Sequence, residues 1–189
     1  MPKTFIKFLE PYENGLVKKG PIIAVSGFIG VGKTTAAKML KDILGYRYYY
    51  PPTFRGKAMR KRQLLTETIE EANTEEFYEI DIKALKNSMK GKIVVDSRLS
   101  AWALGKWADI RIFVNSEPDI RIHRFAKGNN LTVEQAADEL REREKFELSE
   151  WRKLYNIDFM DKRVYTHVID NNDSKNDLKN KLRKIVKKL

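Results

Sequence analysis

One run, "IIAVSGFIGVGKTTAAKML" at residues 22–40, restricts what this chain can fold into more than any other feature. The apolar residues Ile22 to Val25 lead into a loop that fills the pattern G-x-x-x-x-G-K-[ST] with Gly27, Gly32, Lys33 and Thr34; Gly30 adds a third glycine. Beyond the loop, apolar residues recur at helical spacing as far as Leu44, and Gly45 supplies a stop. A short strand that is apolar throughout is buried on both faces, as in a parallel sheet covered by helices. Strand, glycine loop and helix start together aim several backbone N–H groups and a helix dipole at one point, which makes an anion nest. A ligand-free turn would need neither Lys nor Thr at these offsets. Gly27, Phe28, Ile29, Gly30, Val31, Gly32, Lys33, Thr34 and Thr35 are therefore read as the cradle for the phosphates of a nucleoside triphosphate, ATP. Lys33 would reach the β- and γ-phosphates, and the Thr34 hydroxyl would ligate Mg²⁺.

The rest of the chain alternates strand and helix patterns without repeats or low-complexity linkers. Strands are expected within the tyrosine-rich run 46–50 and at 92–96, 110–114 and 166–169. Helical spacing fits most of 55–89 and the segments 117–127, 132–154 and 174–188, with Thr132 and Gln135 as a capping box. Such alternation implies an α/β fold, a mostly parallel sheet with helices on both faces. Residues 1–20 stand outside the scheme as an N-terminal extension, where Asn14-Gly15 suggests a hairpin turn. Residues 21–189 are expected to form one domain, and 189 residues are enough for a substantial core.

Composition narrows the classes. There is no Cys, which excludes a disulfide framework and suits a reducing cytoplasm. The start of the chain does not read as a signal peptide, and no apolar run approaches the roughly 20 residues of a membrane span. The net charge of +11 is concentrated, with +6 of it in residues 174–189. There Leu178, Leu182, Ile185 and Leu189 keep helical spacing, so the tail is expected to dock one face and solvate the other. The expected protein is a monomer that uses neither membrane nor nucleic acid as a partner.

Two further stretches carry chemistry. In "KIVVDSRLSAWAL", Asp96 ends an apolar strand, where a carboxylate would hold Mg²⁺ through water; the alternative is a strand-end Asp capping a turn. Arg98 lies just past that strand's carboxyl end, where open α/β sheets bind ligands. In residues 117–155, Arg121, Arg124, Lys127, Arg141 and Arg143 lie on two helices joined at Gly128-Asn129-Asn130. A charged helix is ordinarily a solvated face with i,i+4 pairs such as Arg143–Glu147, yet phosphoryl transfer also uses mobile arginines on a lid.

From Ile22 to about Asn172 the sequence resembles the archaeal-type cytidylate kinases, a branch of the P-loop nucleoside monophosphate kinases. The resemblance rests on the phosphate loop, Phe54-Arg55, "DSRLSAW", the pair Arg121 and Arg124, "RERE" at 141–144, "YNID" at 155–158 and "YTHVIDNN". It implies the P-loop three-layer sandwich, with a five-stranded parallel sheet, a helical monophosphate-binding insert at about 53–89 and a lid at about 124–150. It also implies transfer of the γ-phosphoryl of ATP to CMP or dCMP, yielding ADP and CDP or dCDP. Arg55 and Arg98 would clamp the acceptor phosphate. Lys33, Arg124, Arg141 and Arg143 would stabilise the transferring group. Ser97, Ala101, Gly128 and Glu150 depart from the family pattern, as does "YYPPTFR", so the acceptor base does not follow from it. A kinase of another small acceptor and an ATP-switched nucleic-acid-binding protein stay open.

Overall fold

The computed structural model describes residues 3–51, 74–187 and 189. Five strands form one all-parallel sheet: β1 (Ile22–Ser26), β2 (Arg47–Tyr49), β3 (Ile93–Asp96), β4 (Ile110–Asn115) and β5 (His167–Asp170). Their spatial order is β2-β3-β1-β4-β5, so the strand that feeds the phosphate loop is central. Val25 lies opposite Asp96 on one side and Ile112 on the other, which brings the carboxyl ends of β1 and β3 side by side.

Every residue of β1 is buried, and alternate side chains serve opposite layers. Ile23 and Val25 pack with Leu40 of α1 (Lys33–Leu44) and with Leu178 and Leu182 of the C-terminal helix Lys175–Val186. Ile22 and Ala24 face the second layer, which holds α2 (Thr74–Ser88) and α3 (Ser100–Leu104). Between β4 and β5 run α4 (Pro118–Asn129) and α5 (Val133–Tyr155); the C-terminal helix is α6. The result is the expected helix–sheet–helix sandwich. Among the described residues no helix is long and apolar enough to cross a membrane.

Local chemistry sets the boundaries. Gly45 ends α1 in the left-handed region, and Thr132 opens α5 with the expected capping box: its hydroxyl accepts from the Gln135 N–H and the Gln135 side chain accepts from its own. The turn between α4 and α5 is tighter than expected. The helix continues through Gly128 to Asn129, and Asn130, at φ +56°, ends it. In α6, Leu178, Leu182 and Val186 are buried, and Leu189 lies exposed beyond the helix.

Residues 3–19 form no hairpin. Lys7–Glu13 winds as a 3₁₀ helix, and the chain is pinned on the α2–α3 side of the sheet. Ile6 and Leu9 are fully buried, the Phe5 N–H donates to the Trp102 carbonyl at 3.0 Å, and Lys19 donates to the Met89 carbonyl at 2.9 Å. Trp107 donates its indole N–H to Glu13 at 3.0 Å. Burial of these apolar side chains outweighs the local turn preference of Asn14-Gly15.

Candidate functional site

The phosphate loop leaves the sheet at Ser26 and enters α1 at Lys33. Two glycines are required there by contact as well as by torsion. Gly32 sits at φ +86°, and a Cβ on it would lie 2.4 Å from Asn171 Nδ2, which donates to the Val31 carbonyl at 2.8 Å. Gly30 sits at φ +79°, and its Cβ would lie 2.7 Å from the Arg121 carbonyl oxygen. No side chain caps α1, so its first N–H groups are left for a ligand. They open on a cavity of about 320 Å³ lined by Phe28, Ile29, Gly30, Gly32, Lys33, Thr34 and Thr35. Gly27 is not in this lining and packs against β4, where a Cβ on it would lie 2.4 Å from the Val114 carbonyl oxygen, and Val31 turns into the core.

Asp96 closes the floor. It is fully buried, and its two oxygens are divided: Oδ1 accepts from the Lys33 ammonium at 2.5 Å, and Oδ2 accepts from the Tyr48 hydroxyl at 2.8 Å. Burial, with the carboxylate beside it, pushes the Tyr48 hydroxyl up from its ordinary pKa. The register of β1 and β3 produces the Lys33–Asp96 contact, because the two strands end side by side beneath the loop. Thr34 and Asp96 both line the cavity and offer two oxygen donors; among the described residues no group of three or more His, Asp or Glu is gathered to hold a metal. Such a pair suits a hard divalent ion that keeps water and phosphate oxygens in the rest of its shell.

Arg98 and Ser97 continue from β3 along the cavity wall. The turn is anchored by Ser100, whose hydroxyl donates to the Val25 carbonyl at 3.0 Å, while the Ala101 N–H donates to Ser26 Oγ at 3.1 Å. Arg98 is ion-paired with Glu147 of α5. Among the described residues Glu147 Oε2 and Ser97 Oγ are buried without a hydrogen-bond partner. Arg143 does not pair with Glu147, as i,i+4 spacing suggested; it lies 3.6 Å from Glu139, one turn earlier. Arg98 meets Glu147 because the turn after β3 and the C-terminal half of α5 line the same cavity. Arg55 and the earlier part of the expected insert lie outside the described residues.

The remaining arginines sit differently. Arg143 lines the cavity, with its side chain 10% exposed. Arg124 is away from it, donating to the Asn171 carbonyl at 2.8 Å. Arg141 points to solvent and pairs with Asp138 at 2.9 Å. Arg121 donates to the Ile29 carbonyl at 3.0 Å, pairs with Glu144 and stacks 5.2 Å over Phe28. The α4–α5 hairpin has a small core of its own in Phe125, Ala126, Ala136 and Leu140, whereas Trp151 and Tyr155 belong to the main core.

The sequence assigned no role to Asp81, Tyr155 or Tyr48, although Tyr155 opens the "YNID" run. Tyr155 donates to Asp81 at 2.6 Å. Asp81 carried a readable signal, because it falls on the stripe of Phe77, Ile80, Ala84 and Leu85, where an amphipathic helix would place an apolar residue.

Comparison with known proteins adds relatives to this geometry. The family described as AAA domain matches residues 23–147. Cytidylate kinase of Staphylothermus marinus is 33% identical over 152 residues, covering 79% of this chain and 86% of that protein. Cytidylate kinase of Methanococcus maripaludis is 30% identical over 155 residues, covering 79% and 87%. Among solved structures, shikimate kinase from Acinetobacter baumannii superposes with a TM-score of 0.56 at 18% identity, over 90% of this chain and 95% of that one. That likeness bears on the fold alone.

Proposed function

The chain belongs to the archaeal-type cytidylate kinases, a branch of the P-loop nucleoside monophosphate kinases, and we propose that it transfers the γ-phosphoryl of ATP to CMP or dCMP. The observation that carries this reading is the convergence, in one cavity, of an uncapped helix start, Lys33, Thr34 and Asp96 with the cations Arg98 and Arg143. A triphosphate on the loop and a monophosphate at Arg98 would then face each other across that space.

A phosphate monoester is largely dianionic at pH 7, so the attacking oxygen needs no general base. The work left to the protein is alignment and stabilisation of charge. The N–H groups at the start of α1 would hold the donor phosphates, and Lys33 would leave Asp96 for the β- and γ-oxygens. Thr34 and Asp96 would hold Mg²⁺, which supplies neutralisation of the phosphate charge when bound. Arg98 would exchange Glu147 for the acceptor phosphate, with Arg55 as its partner in the clamp. Residues 53–89 serve as the acceptor insert and 124–150 as the lid that carries Arg124, Arg141 and Arg143 over the transferring group.

A coupled assay of ADP release against a panel of monophosphates tests the reading. CMP and dCMP are expected to be the best acceptors, with activity dependent on Mg²⁺. Turnover with none of the nucleoside monophosphates would overturn it.

A further inference from the structure

Besides Asp96 and Glu147 the cavity contains a third buried carboxyl, which phosphoryl transfer does not use. Asp81 is 5% exposed, between the main core and the cavity, and Phe77 and Ile80 on the same stripe of α2 form an apolar wall beside it. Trp151 and Tyr155 of α5 close the opposite side. Tyr155 is itself buried, and its hydroxyl engages Asp81 Oδ2 at 2.6 Å, which fixes the plane of the carboxyl. Among the described residues no hydrogen bond reaches Oδ1.

A buried carboxylate that serves only the fold normally collects several donors; with one, it is an expensive group to keep in an apolar wall. Its environment registers the deficit, since burial, opposed only by the Tyr155 hydrogen bond, pushes the carboxyl up to about 7. The arrangement is that of a recognition site, with flat apolar walls for a ring and one oriented acceptor for its edge.

We propose that Asp81, held in orientation by Tyr155, reads the base of the acceptor nucleotide and selects a base bearing an exocyclic amine. The inference rests on the nucleoside monophosphate kinase reading above. An amine presented at Oδ1 donates to a free lone pair. Where Asp81 is ionised, above about pH 7, a carbonyl at the same position, as in uracil, sets lone pair against lone pair. A site built to bond one polar group of a substrate rejects the analogue that lacks it far more strongly than a purely apolar pocket does.

The test compares kcat/KM for CMP, UMP and N4,N4-dimethyl-CMP at saturating ATP and about pH 8.5, where the carboxyl of Asp81 is ionised, in the wild-type protein and in Asp81→Asn and Tyr155→Phe. The wild type is expected to prefer CMP over both analogues by about 100-fold or more. Asp81→Asn is expected to narrow the CMP-to-UMP ratio by at least about tenfold with the KM for ATP nearly unchanged, because an amide also offers a donor to the uracil carbonyl. Tyr155→Phe is expected to raise the KM for CMP and leave that for ATP alone. Equal use of CMP and dimethyl-CMP by the wild type would overturn the inference and leave the kinase reading standing, as would an unchanged ratio in Asp81→Asn. Turnover of no monophosphate at all would remove the kinase reading, and this inference with it. Should Asp81→Asn fail to fold, the wild-type comparison of the three acceptors decides alone.

Discussion

Glu147 of α5 pairs with Arg98 just past the end of β3 while its second carboxylate oxygen, Oε2, is buried without a hydrogen-bond partner among the described residues. An acceptor phosphate that takes Arg98 must therefore compete with a carboxylate already in place. In Glu147→Gln that competitor is neutral. The variant is expected to bind the acceptor more tightly by about three- to tenfold, since a charge-assisted contact is worth on the order of 1.5–3 kcal/mol and only part of it is recovered. Ligand-free Glu147→Gln is expected to melt lower, because Arg98 loses its counter-charge, and acceptor should raise its Tm more than it raises the wild type's. Calorimetry and thermal scans measure both; weaker acceptor binding would show instead that Glu147 holds Arg98 in its working position.

Lys33→Ala is expected to reduce kcat to below about a tenth of the wild-type value, a loss above about 1.4 kcal/mol. The structure adds a second effect. Lys33 and Asp96 form a pair that is 13% and 0% exposed, so removing the ammonium leaves a buried carboxylate with Tyr48 as its remaining partner. Among the described residues Tyr48 alone then compensates Asp96, and a stability loss of about 2–3 kcal/mol is expected in denaturant titrations. Lys33→Ala with Asp96→Asn should recover stability but not activity, which separates the two roles in one double-mutant comparison.

Asp81 makes stability depend on pH. Its folded-state pKa is raised to about 7, above the ordinary value of 3.8. The fold tolerates the neutral carboxyl, and as pH rises the unfolded chain ionises first. The contribution of Asp81 is therefore fully present below pH 3.8 and is lost as pH rises through about 7. Asp81→Asn cannot ionise, so its unfolding free energy is expected to gain on the wild type by a few kcal/mol, on the order set by such a shift, across that window. Parallel stability curves between pH 4 and 7.5 would contradict the assignment.

Arg141 and Arg143 distinguish a closing hairpin from a solvated one. In this conformation Arg141 is 74% exposed and pairs only with Asp138 among the described residues, so Arg141→Ala should leave Tm within about 1 °C of the wild type. If closure brings it to the transferring group, kcat nevertheless falls by about tenfold or more with ATP affinity unchanged, the mark of a contact made only in the transition state. Arg143→Ala should show the same kinetic pattern. Normal kcat in both variants would assign Arg141 to surface pairing and Arg143 to a structural contact at the cavity wall.

The sheet and the phosphate loop were legible because their signals are local. An apolar run, glycines at fixed offsets and a helix start lie within twenty residues, and the register that places Asp96 under Lys33 follows from two strands ending in phase. What was illegible depended on distant partners. Asn14-Gly15 reads as a hairpin turn, yet Phe5 bonds to Trp102 and Glu13 to Trp107, so contacts across some ninety residues override it. Arg143–Glu147 is a sound helical pair on spacing alone, and it loses to Arg98, which arrives from another strand. Asp81 stands on the apolar stripe of its helix, but its bond to Tyr155 joins residues 74 positions apart, which spacing along one helix does not show.

The bond from Asn171 to the Val31 carbonyl has a consequence for the order in which the molecule is made. The phosphate loop is encoded at residues 27–34, but the amide that braces it comes 140 positions later, on the loop after the last strand. During synthesis at roughly 5–20 residues per second, the loop and its helix emerge several seconds before their brace exists. Nucleotide affinity therefore matures late, when β5 docks beside β4, and a ribosome-bound chain halted before that strand would carry the motif intact without the completed cradle.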